Sequence, residues 1–454
     1  MSMKKVINTG SFRDPSGFVF SENGQIFRQV NPCYFDNYNT LVKNNIYDNL
    51  ITKNLLISHK EIKHSPSAII LEAQKVPFIS YPYEWSFSQL KDAALLTLTI
   101  EKEVLEKNFS LKDASAYNVQ FIGSHPIFID TLSFEPYEEG PWVAFGQFCK
   151  HFLYPLMLMS KVDLCMNTLL KNWIDGIPGD IAAKLMPSIR KCFSLTYWLY
   201  VKIPNMAQKK YEINKQKIKK TLSKNQLLKI IDALYLTIKN LKPYSKKTVW
   251  GDYYTFTNYT ENSFDRKAKI VSDFIDKVSP KTLWDLGANN GYFSRLASNK
   301  GIQTIAFDID PVAVEKNYLA AKEKREDKIL PLLMDLTNPS SGIGWANSER
   351  EGFADRGPAD CGLILALIHH LAIGNNIPFE AMSKYFSHLF NFIIIEYIPK
   401  EDSKVQELLR NRKDVFDTYS QENFEKAFMQ FFEIEEKTLI NDSLRYLYLM
   451  KRKA

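Results

Sequence analysis

The stretch "KTLWDLGANNGYFSRLA", residues 281–297, decides the fold. Its apolar run closes on Asp285, turns through Gly287 and Gly291, and opens into a pattern with helical spacing. Such a strand–glycine turn–helix unit brings backbone close to a ligand at the carboxyl end of a strand. A dinucleotide fingerprint requires G-x-G-x-x-G. Here the second and third of those positions are Asn289 and Tyr292. A pyrophosphate ligand therefore fails on spacing. An acid followed by G-x-x-x-G suits instead a cationic ligand with an amino acid moiety, whose ammonium meets a carboxylate.

Around this unit, strands and helices alternate: "TLWDLG", "TIAFDID", "KILPLLMD", "CGLILAL" and "FIIIEY" are each followed by a helical or loop segment. That alternation predicts a mostly parallel sheet covered on both faces, an α/β fold. The last stretch, "FFEIEEKTLINDSLRYLYLMKRK", reads as two strands with no intervening helix, hence an antiparallel edge pair. Asp308 closes the second strand, where an acid accepts hydrogen bonds from ribose hydroxyls, and Asp335 closes the third, within reach of a base amine. Helix capping explains one such acid easily and three poorly.

On these residues the region 250–454 resembles the class I S-adenosylmethionine-dependent methyltransferases, which share the doubly wound, Rossmann-like sheet with a terminal antiparallel pair. The resemblance implies that the Asp285–Gly291 loop holds the methionine part of S-adenosylmethionine, Asp308 the ribose, and Asp335 the adenine. Asn289 replaces the family's middle glycine and accepts left-handed dihedrals better than most residues. Methyl transfer to a hydroxyl needs a base within hydrogen-bond reach. In "LALIHHLAIGNN" the candidates are His369 and His370, with Glu396 at the fifth strand end behind them. The aromatics Trp250, Tyr253 and Tyr259 are candidate covers for cofactor or acceptor.

Upstream, residues 11–85 alternate short β-rich runs ("GFVF", "IFRQV", "AIILEA", "PFISY") with turn residues. Helical periodicity then takes over in "FSQLKDAALLTLTIEKEVLEK", and again from about Trp142 to Leu241, around a strand-like pair "NVQFIG" and "PIFID". In "LKDASAYNVQFIGSHPIFID", Asp113 and Asn118 have the D-x-x-x-x-N spacing of a kinase catalytic loop, and Asp130 follows at a strand end. This half resembles the protein-kinase-like and aminoglycoside-phosphotransferase-like fold, an α+β domain. The resemblance implies Asp113 as catalytic acid–base, and Asn118 with Asp130 as ligands of Mg2+ bearing ATP. Three features depart from it: Leu111-Lys112 precede Asp113, no glycine-rich loop is evident beyond "PSGF", and the nucleotide-pairing lysine is not obvious, with Lys43, Lys53 and Lys60 as candidates and Arg28 standing where such a lysine would lie.

The expected organisation is a kinase-like domain over 1–240 (β-rich lobe about 11–85, helical lobe about 86–240), a linker over 241–249, and a methyltransferase domain over 250–454. A chain of 454 residues calls for more than one core. A hydrophobic fraction of 45% and a charged fraction of 24% are those of an ordinary globular protein. The formal net charge of +7 does not demand a nucleic acid. The lysine-rich "QKKYEINKQKIKKTLSK" reads first as a solvated face and second as an RNA-docking stripe. Five scattered cysteines without a C-x-x-C pair point to a reducing compartment and away from zinc. No run is long enough for a membrane span and no secretory signal is visible, so the expected location is cytoplasmic.

The combination "GSFRDPSGFVF", "LKDASAYNVQF", "FIDTLSFE" and "ALIHHLAI" resembles bacterial methyltransferase-like proteins associated with nodulation and surface-polysaccharide synthesis. That resemblance implies a saccharide or glycolipid acceptor, with phosphorylation by the first half as a possible companion step. The alternatives are an RNA or protein methyltransferase, and a scaffold whose kinase-like half is inactive and whose second half only senses the cofactor.

Overall fold

The computed structural model describes residues 5–187, 222–244, 261–410 and 413–453. The chain forms two compact units: Met1–Lys246 together with Gly342–Arg350, and Lys247–Ser341 together with Glu351–Ala454. Most of the lysine-rich stretch, the aromatics Trp250, Tyr253 and Tyr259, and residues 245–249 of the expected linker lie outside the described residues.

The first unit opens on a five-stranded antiparallel sheet. It comprises β1 (Val6–Ile7), β2 (Gly17–Glu22), β3 (Gln25–Val30), β4 (His59–Ser65) and β5 (Ala68–Ala73), in the order β1-β2-β3-β5-β4. Two helices, α1 (Phe35–Lys43) and α2 (Ile46–Thr52), stand between β3 and β4. The strand β4 has no apolar alternation because it is an edge strand with both faces largely exposed. "PFISY", by contrast, forms no strand.

A capping box between Ser86 and Gln89 starts the long helix α3 (Phe87–Glu106). Its buried Glu101 accepts from the Ser110 hydroxyl and the Leu111 amide, tying α3 to β6 (Phe109–Leu111). Pair β6/β9 (Phe134–Pro136) and pair β7 (Val119–Ile122)/β8 (His125–Phe128) then bracket the Asp113–Asn118 loop and Asp130. Beyond them the expected helical run is broken by a π-turn at Cys149–Leu153 and a 3-10 segment at Leu164–Lys171.

The second unit is built on a seven-stranded sheet. Its members are β10 (Thr282–Leu286), β11 (Gln303–Asp308), β12 (Ile329–Leu333), β13 (Ala359–Ile364), β14 (Phe390–Tyr397), β15 (Phe432–Leu439) and β16 (Tyr446–Arg452). The order is β12-β11-β10-β13-β14-β16-β15, with β16 antiparallel to both its neighbours and the other pairs parallel. This is the doubly wound sheet with a terminal antiparallel pair that the sequence predicts.

Strand order reverses between β10 and β13, which makes the crevice at their carboxyl ends the place for a ligand. One face of the sheet packs Leu283, Leu363, Ile394 and Leu449 against Val271, Phe274 and Ile275 of the helix Glu261–Val278, and against Phe293. On Trp284, Phe307, Phe353 and Phe390 converge edge-on or tilted. In β13, Gly362 carries no Cβ because one would stand 2.8 Å from the Phe390 ring.

Candidate active site

The turn after β10 is held open by three left-handed residues: Gly287 (φ +86°), Asn289 (φ +50°) and Gly291 (φ +80°). Amides of Gly287 and Ala288 donate to the Phe307 carbonyl, and the Asn289 amide donates to Asp308 Oδ2 at 2.7 Å. Asn289 supplies the positive φ that the expected glycine would have supplied, consistent with its tolerance of this region. Gly291 is the residue before the helix Tyr292–Ser298, and a Cβ there would stand 2.5 Å from the Asn317 amide.

Beside this turn, at the carboxyl ends of the central strands, lies a cavity of about 240 Å³. Asp285, Gly287, Asn289, Asp308 and Asp335 all line it, and so does His370. Gly291 shapes the turn without lining the cavity. His369 is buried, has its ring centre 4.0 Å from that of His370 with the planes tilted by 42°, does not line the cavity, and leaves its Nδ1 without a hydrogen bond.

The three acids have distinct settings. Asp285 is 1% exposed, accepts from the Ser294 hydroxyl at 2.6 Å, and is pushed up to about 7 by burial, with Asp308 adding to the rise. Asp308 is pushed up to about 6, again by burial, against the pull of the Asp310 and Asn289 amides. Helix capping in "DIDP" falls to Asp310, which accepts from the Val312 and Ala313 amides ahead of the helix Pro311–Glu323. Asp308 is thereby left for the cavity. Asp335 lies two residues past β12, with Oδ1 accepting from the amide and hydroxyl of Thr337.

His370 is lowered to about 4 by burial and by Lys404, so its imidazole is neutral at pH 7. Glu396 is not positioned as a base. It accepts from Lys267 Nζ at 2.7 Å and from the Ala366 amide at 2.8 Å, and lies 3.5 Å from Arg445. Lys267, a cavity-lining residue, is the group that sequence reasoning missed. Its signal was present: it shares an apolar stripe with Phe264, Val271 and Phe274, where a lysine needs a reason.

A sulfonium nucleoside fits this donor set. Three carboxylates face the cavity from the ends of successive strands, beside apolar walls and the buried lysine Lys267, and a glycine turn allows close backbone approach.

In the first unit, Asp113, Asn118 and Asp130 do come together. Asp113 is raised by burial and by Asp130, with bonds to Gln147 and Asn118 opposing the rise. Asp130, however, is ion-paired with Arg28 of β3, and its carboxylate also accepts from the Leu132 amide and the Ser133 hydroxyl. Arg28 holds Asp130 below the usual carboxylate range despite its burial. Asn118 Nδ2 is 3.5 Å from the Ser133 hydroxyl. Among the described residues no group of three or more His, Cys, Asp or Glu is arranged to hold a metal ion. Mg2+ demands near-ideal octahedral oxygen ligands. Mg2+ on a nucleotide is held by one or two carboxylates with phosphate oxygens and water, and here the Asp130 carboxylate is already engaged by the Arg28 guanidinium.

Comparison with known proteins agrees with a whole-chain relationship. The sequence is 35% identical over 459 residues to nodulation protein NoeA of Rhizobium meliloti (strain 1021), covering 98% of this chain and 95% of that protein. The chain belongs to the NoeA family. No protein-family model matches it. Among solved structures, magnesium protoporphyrin IX methyltransferase (ChlM) from Synechocystis PCC 6803 with bound SAH is 16% identical, covers 42% of this chain and 84% of its own, and has a TM-score of 0.31. The bifunctional kinase-methyltransferase WbdD is 14% identical over 42% of this chain, at a TM-score of 0.30. This chain spans about two fifths of WbdD, at 40%. Superpositions this loose carry no argument about activity. Among the described residues no helix is long and apolar enough to cross a membrane.

Proposed function

We propose that this NoeA-family protein is an S-adenosylmethionine-dependent methyltransferase that acts on an oxygen acceptor of a saccharide or glycolipid. The observation that carries the reading is the convergence of Asp285, Asp308 and Asp335 on one cavity at the carboxyl ends of β10, β11 and β12. Asp285 would meet the ammonium of the methionine moiety, Asp308 the ribose hydroxyls and Asp335 the adenine amine. When bound, S-adenosylmethionine supplies an electrophilic methyl group on its sulfonium.

The chain's own part is to bind, orient and exclude water. Asn289 and Gly287 keep backbone amides and Asp308 in register with the ligand. Leu365, Leu367 and Leu371 give the cavity its apolar wall, where charge interactions are stronger than in water. His370 lines the same cavity and is neutral at pH 7, so its imidazole is able to accept a hydrogen bond from an acceptor hydroxyl and orient it.

The experiment is to incubate the protein with S-adenosylmethionine labelled in the methyl group and with fractionated cell extract. Label is expected in an alkali-stable ether on a saccharide or glycolipid fraction. Label confined to RNA or protein would overturn the acceptor class, and no transfer from saturating cofactor would overturn the enzyme.

A further inference from the structure

A second charge stands at the methionine end of the cavity, opposite in sign to Asp285. Lys267 projects from the helix Glu261–Val278 into the cavity lining, one turn after Phe264, which also lines it. Its side chain is 3% exposed, and its ammonium lies 4.8 Å from the Phe293 ring centre. Lys267 and Asp285 are close enough that each shifts the other's proton affinity.

A buried lysine survives as a cation only when it is paired. Glu396 does this, at 2.7 Å, and is itself shared with Arg445, whose guanidinium is clamped by Asp402 at 2.7 and 3.0 Å. Lys267 and Arg445 cancel Glu396 and Asp402. Asp285, with Asp308 close enough to act on it, then adds negative charge that a ligand's sulfonium and ammonium offset, while its carboxylate finds Lys267. If only cations were to be bound there, a lysine in the lining would oppose them.

We infer that Lys267 is the specificity-determining residue for the α-carboxylate of the bound nucleoside, so that Asp285 and Lys267 together read the zwitterionic amino acid head. The inference rests on the reading of the cavity as an S-adenosylmethionine site. Glu396 is then a positioning residue: it fixes the Lys267 ammonium at the cavity wall.

The test uses three ligands titrated calorimetrically into the full-length protein at pH 7.5: S-adenosylmethionine, its decarboxylated form, and 5′-methylthioadenosine. The unaltered protein is expected to prefer the carboxylate-bearing ligand over the decarboxylated one by roughly 10- to 100-fold, the range of a charge-assisted hydrogen bond. In Lys267→Met the preference collapses to within about threefold while 5′-methylthioadenosine binds as before, since methionine conserves the volume and leaves Arg445 on Glu396. A preference retained in Lys267→Met overturns the assignment. Should that variant fail to fold, the unaltered protein still decides: equal affinity for the two cationic nucleosides overturns the role of Lys267, whereas no binding of any of the three overturns the cofactor site itself.

Discussion

Asp285 and Asp308 hold their protons unusually late, at about 7 and about 6, because burial penalises their charged forms. A cation seated beside Asp285 reverses that penalty, so binding must expel a proton near neutrality. S-adenosylmethionine affinity is therefore expected to rise between pH 6 and pH 8, and the heat of binding at pH 6.5 to depend on the buffer's ionisation enthalpy. Affinity independent of pH in that window would contradict the role of Asp285.

The same shifts act on stability with the opposite sign. Unfolded, an aspartate titrates near 3.9. The folded chain keeps these protons up to about 7 and about 6, so the two groups weaken the ligand-free fold as pH rises from about 4 to about 7. Asp285→Asn is expected to melt higher than the parent at pH 8 and near it at about pH 4. A lower melting temperature at pH 8 would show that the carboxylate stabilises the fold. At this scale the sequence was informative about the three strand-end acids, since position after an apolar run fixes where a side chain emerges. It also carried a signal for Lys267, a lysine set in the apolar stripe of Phe264, Val271 and Phe274, but that stripe reads as ordinary core until the cavity is seen. His369 and His370 could not be told apart as neighbours in "IHH"; the turn after β13 sends one inward and the other to the cavity.

The β10 turn is the element on which the site depends. Its conformation needs positive φ at Gly287, Asn289 and Gly291. Asn289→Gly is expected to leave stability within about 0.5 kcal/mol, while Asn289→Val costs about 1–2 kcal/mol through the left-handed strain of a β-branched residue. Urea titration of the two variants measures the difference, and equal losses would contradict the account. Gly291→Ala adds crowding to strain, because the new methyl would meet Asn317 and Arg295.

Strands with a buried face on both sides were legible from their continuous apolar runs, as in "LILAL" and "FIIIEY". The exposed edge strand β4 was not legible, because pairing with β5 alone makes "HKEIKHS" a strand. Nor were α1 and α2, two short helices set inside a β-rich stretch.

At the scale of the whole molecule, the chain crosses between its units more often than a linear domain reading suggests. Residues Gly342–Arg350 interrupt the second unit in sequence yet belong to the first. Within the first unit Glu349 is buried and receives Arg13 through two bonds of 2.9 and 2.6 Å, and the Arg350 guanidinium covers the Tyr117 ring at 4.5 Å. Only a long-range pairing reveals such an excursion, and a single sequence carries no record of it. Replacing 342–350 by a glycine–serine linker is expected to lower amide-exchange protection in β2, whose neighbouring turn carries Arg13. Unchanged protection there would contradict the assignment of the segment to that unit.

The Arg28–Asp130 pair sets the expectation for the first unit. ATP with Mg2+ is expected to leave the melting temperature unchanged, and a rise of several degrees that Asp130→Ala removes would reinstate the kinase reading. The measurement that bears most directly on the whole account is calorimetric titration of S-adenosylmethionine at pH 7.5. One saturable site is expected in the parent, weakened at least about 30-fold in Asp285→Ala, the loss of a buried charge pair, with the fold intact by circular dichroism. Equal affinity in the two proteins, or no binding in the parent, would contradict it.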